Sequence, residues 1–411
     1  YKRQHNDFSV NSMLTVDNFD GMIEVEYSSE DNLKYAFPGI AAVYEANGRV
    51  SAVHSSGRVK NANEGYQSGT SQESNWSCKF SNNITPFFHV FNGQKALSEP
   101  IEIDIDLRDS KNNIIIKKNK YITSCKGSFS SQIIYLDEVF GSIIQKDEVF
   151  CTASVPSGAV FPRMVCGNYH KTEQFLEVTH SFPVIKIKDY LPKPSKENSS
   201  YSAAVFLQPE LLSLSAVSFP TNSESNLVAK SSNGKDIVWN SGKDLFEAYL
   251  GDKELTRFEF SQENIPSRLN TSLRYSVKGA DSDYSTDIAT GVSAWISPPK
   301  FHHWGYGLLS KDFDTVILMS NVNLCDTNNA NVNGELRIFF SNGKKQKIVI
   351  KDISICQDGY LFIYLSDVID DFKDMNTTQS ISWYLSMQQP SVQAYWLSFA
   401  RDGRICGDHA L

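Results

Sequence analysis

Two stretches, Ile133-Ile-Tyr-Leu-Asp-Glu-Val-Phe140 and Phe362-Ile-Tyr-Leu-Ser-Asp-Val-Ile369, share one apolar pattern at an offset of 229 residues. Each is preceded by two apolar segments joined by a polar turn, within Ile103–Ile116 and Leu336–Ile350. Short alternating runs separated by turn residues predict antiparallel strands joined as hairpins. The order of these features predicts that the chain contains one β-rich unit at least twice.

A short closing motif extends this pattern along the chain. It contains His54, His180, Asp287 and His409 at intervals of 126, 107 and 122 residues. Units of this length with many short strands are typical of immunoglobulin-like sandwiches. The predicted fold is therefore all-β, with three complete immunoglobulin- or fibronectin-like β-sandwich modules after a partial N-terminal one.

The predicted boundaries follow the turns and the Gly-, Ser- and Pro-rich stretches. They are a partial module over 1–60, a loop-rich connector over 61–85, a module over 86–182, a linker over 183–200, and modules over 201–294 and 295–411.

Composition narrows the functional classes. The formal net charge of −8 argues against nucleic-acid binding, which requires a basic surface to neutralise phosphates. No apolar run reaches the roughly 18 residues that predict a transmembrane helix. The chain also lacks the short motifs of serine hydrolases, zinc proteases and phosphate-binding loops, so we expect no enzymatic activity and no cofactor.

Aromatic residues cluster where the predicted modules begin and near the C-terminus. Exposed aromatic rings can serve as binding platforms, although the same residue types also fill cores and interfaces. The residues predicted as platforms are Trp76, Phe88, Trp295, Trp304, Tyr306 and Trp396.

Histidines at predicted strand ends support an alternative hypothesis. If the first and last strands of a module are neighbours, His89 approaches His180, and His302 or His303 approaches Asp408 and His409. Two imidazoles with a carboxylate suit a divalent transition metal. Histidines that tether strand ends to backbone carbonyls would give the same pattern, and we favour that interpretation.

The sequence thus predicts a non-catalytic interaction or structural protein that binds glycan or protein at a cell surface or in an assembly. A metal-dependent enzyme or metal-binding protein is one alternative, and a viral coat or spike protein is another. The partial first module adds the hypothesis of a homo-oligomer, because an open sheet edge can accept a strand from another chain.

Overall fold

The computed structural model describes the larger part of the chain, and the statements below concern that part. It covers residues 13, 23, 39–56, 70–92, 96–108, 114–141, 149–156, 164–183, 201–218, 227–231, 236–237, 256–260, 269–280, 284–292, 301–321, 331–342, 345–356, 359–369, 372, 375–389 and 392–410. These residues divide into two compact units, one mainly from residues 52–184 and the other mainly from residues 185–411.

The first unit contains a hairpin followed by a pair of sheets. Its elements are β1 (Gly39–Ala46), β2 (Arg49–Ser56), β3 (Thr70–Cys78), β4 (Ile84–Phe91), β5 (Glu102–Arg108), β6 (Ile114–Ile122), β7 (Ser131–Tyr135), helix α1 (Leu136–Phe140), β8 (Val149–Pro156), β9 (Val165–His170), β10 (Phe175–His180) and β11 (Phe182–Pro183). The hairpin is β1-β2, and the two sheets have the orders β11-β3-β8-β5-β6 and β10-β9-β4-β7.

The second unit contains two further sheet pairs. Its elements are β12 (Tyr201–Phe206), β13 (Leu212–Ser218), β14 (Leu227–Ser231), β15 (Asp236–Ile237), β16 (Thr256–Phe260), β17 (Leu269–Val277), β18 (Thr286–Val292), β19 (His302–Leu309), β20 (Phe313–Asn321), β21 (Val332–Asn342), β22 (Lys345–Ile355), β23 (Tyr360–Tyr364), a 3-10 turn (Leu365–Asp367), β24 (Gln379–Met387), β25 (Val392–Ala400) and β26 (Ile405–His409). One pair consists of β12-β16-β14-β15 and β13-β17-β18, and the other of β19-β24-β21-β22 and β23-β20-β25-β26.

The predicted all-β fold is confirmed, with several separate antiparallel sheets as β-sandwich modules require. The immunoglobulin or fibronectin type and the number of modules remain predictions. None of the helices in the described part is long and apolar enough to cross a bilayer.

The stretch that sets the sequence pattern changes from strand to helix in its middle. Strand β7 ends at Tyr135, and α1 begins at Leu136. Leu136 and Phe140 are buried, and their separation of four residues places both on one face of a helix. In the later stretch the same position carries the 3-10 turn that starts at Leu365.

Strand β3 lies inside the stretch predicted as a connector, residues 61–85. Its sequence is polar, but its backbone pairs with β8 from Thr70 to Cys78. Tertiary pairing therefore outweighs the weak local preference of these residues for a strand. The first sheet pair consequently begins earlier than residue 86.

The core of the first sheet pair lies between its two sheets. Phe88 and Ile134 come from one sheet, and Ile105 and Cys151 come from the other, in a single buried cluster. Consecutive residues of a strand point to opposite faces, so Phe87 and Phe88 leave β4 in opposite directions.

Phe87 is buried because the hairpin covers the other face of its sheet. Val53 of β2 forms a buried cluster with Phe87 and Val178, and Ala42 and Tyr135 pack at its margin. The described part of the predicted partial module therefore packs on the sheet pair that follows it. The homo-oligomer hypothesis stays a prediction.

Tertiary hydrogen bonds recur at the offset of 229 residues. Asn92 donates from Nδ2 to the carbonyl of Gly127 over 2.7 Å, and Asn321 donates to the carbonyl of Cys356 over 3.1 Å. The backbone N–H groups of both asparagines also donate, to the carbonyls of Ser130 and Gly359.

The helix and the 3-10 turn are held in corresponding ways. The Asp137 N–H donates to Thr85 Oγ1 over 3.4 Å, and the Ser366 N–H donates to Asp314 Oδ1 over 3.1 Å. Each contact joins the second strand of its sheet pair, β4 or β20, to the helical element that follows the fifth strand, β7 or β23. We propose that residues 70–183 and 301–410 are two copies of one module.

Replacement of Asn321 by alanine tests the asparagine hydrogen bond that the two proposed copies share. Asn321 is fully buried, and its Nδ2 also lies 3.3 Å from the Ile355 carbonyl. We expect the variant to lose about 1–3 kcal/mol of unfolding free energy, because the carbonyls it serves lose a buried donor. Chemical denaturation measures the loss, and Asn333→Ala, at an exposed position of β21, is the control. Equal stability of the two variants would contradict the assignment.

Candidate functional site

Among the predicted platform residues whose side chains the structure describes, the accessible ones are Trp304 and Tyr306, on the outer face of the sheet β19-β24-β21-β22. In β19, Trp304 pairs with Tyr384 of β24, which pairs with Arg337 of β21, which pairs with Ile350 of β22. Residues directly opposite each other in neighbouring strands share one face of a sheet. We call this surface the aromatic face, and its members are His302, Trp304, Tyr306, Glu335, Arg337, Ile348, Ile350 and Tyr384.

The alternation of β19 determines which of its residues reach this face. His303, Gly305 and Gly307 are buried on the inner side, whereas Trp304 and Tyr306 are half-buried on the outer side. A Cβ on Gly305 would lie 2.5 Å from Trp383 Cζ2 and 2.8 Å from Trp396 Cδ1. The inner side of β19 therefore needs glycine, and the larger rings of this strand point outward.

Contacts between neighbouring rings hold the aromatic face in one arrangement. Trp304 and Tyr306 meet edge to face, with centroids 5.7 Å apart and an interplanar angle of 87°. His302 stacks on Tyr384 at 5.5 Å, and its Nδ1 lies 2.6 Å from the Tyr384 hydroxyl. Rings fixed by their neighbours lose less conformational freedom when a ligand binds.

Charged and aliphatic residues complete the face. Arg337 forms an ion pair with Glu335, two residues along the same strand. On the edge strand β22, Ile348 and Ile350 are 54% and 59% exposed. Trp304 and Ile350 lie three strand spacings apart, about 14 Å. The face thus has an aromatic side and an aliphatic side with an ion pair between them.

The other predicted platform residues do not share this exposure. Phe88 is fully buried in the core of the first sheet pair. Trp396 is also buried, with its ring beside the position that a Cβ on Gly305 would occupy. Neither ring can present its face to a ligand in solution. Trp76 lies in β3, but its side chain is outside the described residues, as is the whole of Trp295.

The structure bears on one of the two predicted histidine groups, His89 with His180, whose strands it separates. Strand β9 lies between β4 and β10, so His89 and His180 are on strands that are not neighbours. His302 is exposed and His303 is buried, because consecutive residues of β19 point to opposite faces. At most one of the two can therefore approach Asp408 and His409 from a given side of the sheet, and that approach stays a prediction.

The closing histidines make the backbone contacts that the tether hypothesis predicts. His180 Nδ1 lies 3.0 Å from the Ser181 carbonyl, and His409 Nδ1 lies 3.2 Å from the Ala410 carbonyl. The His409 N–H donates to Asp408 Oδ1 over 2.7 Å. His180 also has His54 of β2 as a ring neighbour, with centroids 5.0 Å apart.

Sequence reasoning missed Arg337, Glu335 and Ile350 as members of the aromatic face. Their alternation with buried residues in β21 and β22 is visible in the sequence, but the face on which they meet Trp304 depends on strand register.

Comparison with known proteins identifies no family. No protein-family model and no curated protein matches the chain. One solved structure, described as "Biofilm associated protein - BSP domain", is similar over 93% of this chain and 67% of its own, with 9% sequence identity and a TM-score of 0.14. A TM-score this low does not describe a shared fold.

Proposed function

We propose that this chain is a non-catalytic recognition protein and that its aromatic face binds carbohydrate. The observation that supports the proposal most is the row Trp304, Tyr384 and Arg337, in which two aromatic rings and a guanidinium share one accessible sheet face. A location at a cell surface or outside the cell is part of the same proposal.

The chemistry of a sugar ring fits this row. The C–H groups of a pyranose give it an apolar face that can pack on an indole or phenol ring, and its hydroxyl groups need donors and acceptors nearby. Arg337 supplies N–H donors, and Glu335 supplies carboxylate acceptors. His302 and Tyr384 are already joined to each other, which keeps both groups at a defined position.

Replacement of Trp304 by alanine is the direct test. We expect a glycan array probed with the intact chain to identify a ligand, and Trp304→Ala to weaken its binding at least about tenfold, which corresponds to about 1.4 kcal/mol. The half-buried position of Trp304 predicts that the fold survives the change. Titration calorimetry measures the affinity.

Tyr360 provides a matched control. It is an aromatic residue of the same sheet pair, 38% exposed, but it lies on β23 in the other sheet. Tyr360→Ala should bind the glycan as the unchanged chain does. Binding that survives Trp304→Ala, or a face that takes only a protein ligand, would refute the carbohydrate proposal.

A further inference from the structure

His54 and His180 bring two imidazole rings together where the β1-β2 hairpin meets its sheet. Val53, next to His54, packs on Val178, two residues before His180. The two ring centroids are 5.0 Å apart, and the ring planes are nearly perpendicular, at 89°. The sequence pattern predicts His89 as a neighbour of His180, but the packing of the hairpin places His54 beside it.

The hydrogen bond of His180 determines its tautomer. Its Nδ1 lies 3.0 Å from the Ser181 carbonyl, which can only accept, so Nδ1 carries the proton. A neutral ring in this tautomer has its lone pair on Nε2. Histidines that bind metal ions commonly donate their other ring nitrogen to a backbone carbonyl in this way, because the bond fixes the ring's orientation.

Packing holds the same ring from the other side. His180 is 4% exposed, and Phe182 meets it edge to face with centroids 5.1 Å apart. His54 is half-buried and lies two residues before the end of β2. One ring is therefore rigidly placed, and the other reaches it from a separate sheet.

We propose that His54 and His180 supply two nitrogen ligands of a site for a divalent transition metal ion. Imidazole nitrogen favours zinc, nickel, copper or cobalt, whereas calcium and magnesium prefer oxygen ligands. An ion held by both rings joins the hairpin to β10. Because it binds only the folded arrangement, it stabilises the docked hairpin more as the free ion concentration rises above the dissociation constant.

Cobalt titration of the intact, chelator-treated chain tests the site. We expect Co²⁺ binding seen by calorimetry and by visible absorption, with His54→Gln and His180→Gln each weakening it at least about tenfold. His89→Gln, in the same unit on β4, is the control and should bind as the unchanged chain does.

A second measurement separates the site from ring packing alone. Zinc should slow hydrogen exchange in residues 39–56 of the unchanged chain and leave His54→Gln unaffected. His54 is the less buried of the two, so this variant tests the proposal even where His180→Gln fails to fold. Absent cobalt binding, cobalt binding by both glutamine variants as tight as by the unchanged chain, or calcium binding as tight as cobalt would overturn it. Glycan binding at the aromatic face is independent of each of these outcomes.

Discussion

Replacing Gly167 with alanine should cost about 4 kcal/mol or more of unfolding free energy in the first unit, among the largest effects of single substitutions. Gly167 lies in β9, with Phe87 of β4 on one side and Val178 of β10 on the other. An added Cβ would lie 1.8 Å from the Glu177 carbonyl oxygen and 2.9 Å from the carbonyl carbon. Both atoms belong to the backbone, so no side-chain rotation relieves the overlap.

The backbone angle of Gly167 adds to this effect. Its φ of +155° lies in a region that residues with a Cβ rarely adopt. To accept alanine, β9 would have to move away from β10, which breaks the pairing on which His170, Glu177 and Asn168 depend. We therefore expect loss of the far-UV circular dichroism of the first unit at moderate denaturant concentrations.

Gly127 is a matched control for this change. The nearest atom to its added Cβ is Ser130 Cβ at 3.9 Å, an ordinary van der Waals distance. Gly127→Ala should leave stability within about 0.5 kcal/mol or raise it slightly. Similar denaturation midpoints for the two variants would show that β9 and β10 do not pair as described.

Trp383→Ala should lower the unfolding free energy of the third sheet pair by about 3–5 kcal/mol, the usual range for removing a large buried aromatic residue. Trp383 is 1% exposed, and its ring fills the space that Gly305 leaves open. Its indole N–H donates to the Tyr306 carbonyl over 3.0 Å. The variant loses both the packing and the donor.

The neighbouring residue serves as the comparison. Tyr384 follows Trp383 in β24 but points to the opposite face and is half-buried. Tyr384→Ala should cost about 1 kcal/mol or less, while weakening the glycan binding proposed above. Trp383→Phe should lie between the two, since it keeps much of the packing and loses the N–H. Thermal denaturation of the three variants ranks them, and an equal cost for Trp383→Ala and Tyr384→Ala would contradict the inward orientation of Trp383.

Part of the candidate site was predictable from residues alone. The alternation in β19 puts Trp304 and Tyr306 on one side and the glycines on the other, so the two aromatic residues were identifiable as partners. The exposure of an aromatic ring was not predictable from residue type, because Phe88 and Trp396 are also aromatic residues of strands but are buried by strands distant in the chain. The helix α1 was visible in principle, since Leu136, Val139 and Phe140 have helical spacing.

From its amino-acid pattern, the chain is determined to be all-β, since alternation and turn residues are properties of short segments. Its repeated stretches at 133–140 and 362–369 are likewise visible without coordinates. Tertiary structure alone decided that Trp304 lies in a row with Arg337 and Ile350, and that His54 meets His180. The first depends on strand register and the second on hairpin packing. Both bring together residues that are far apart in the chain, so neither can be predicted from a short segment of sequence.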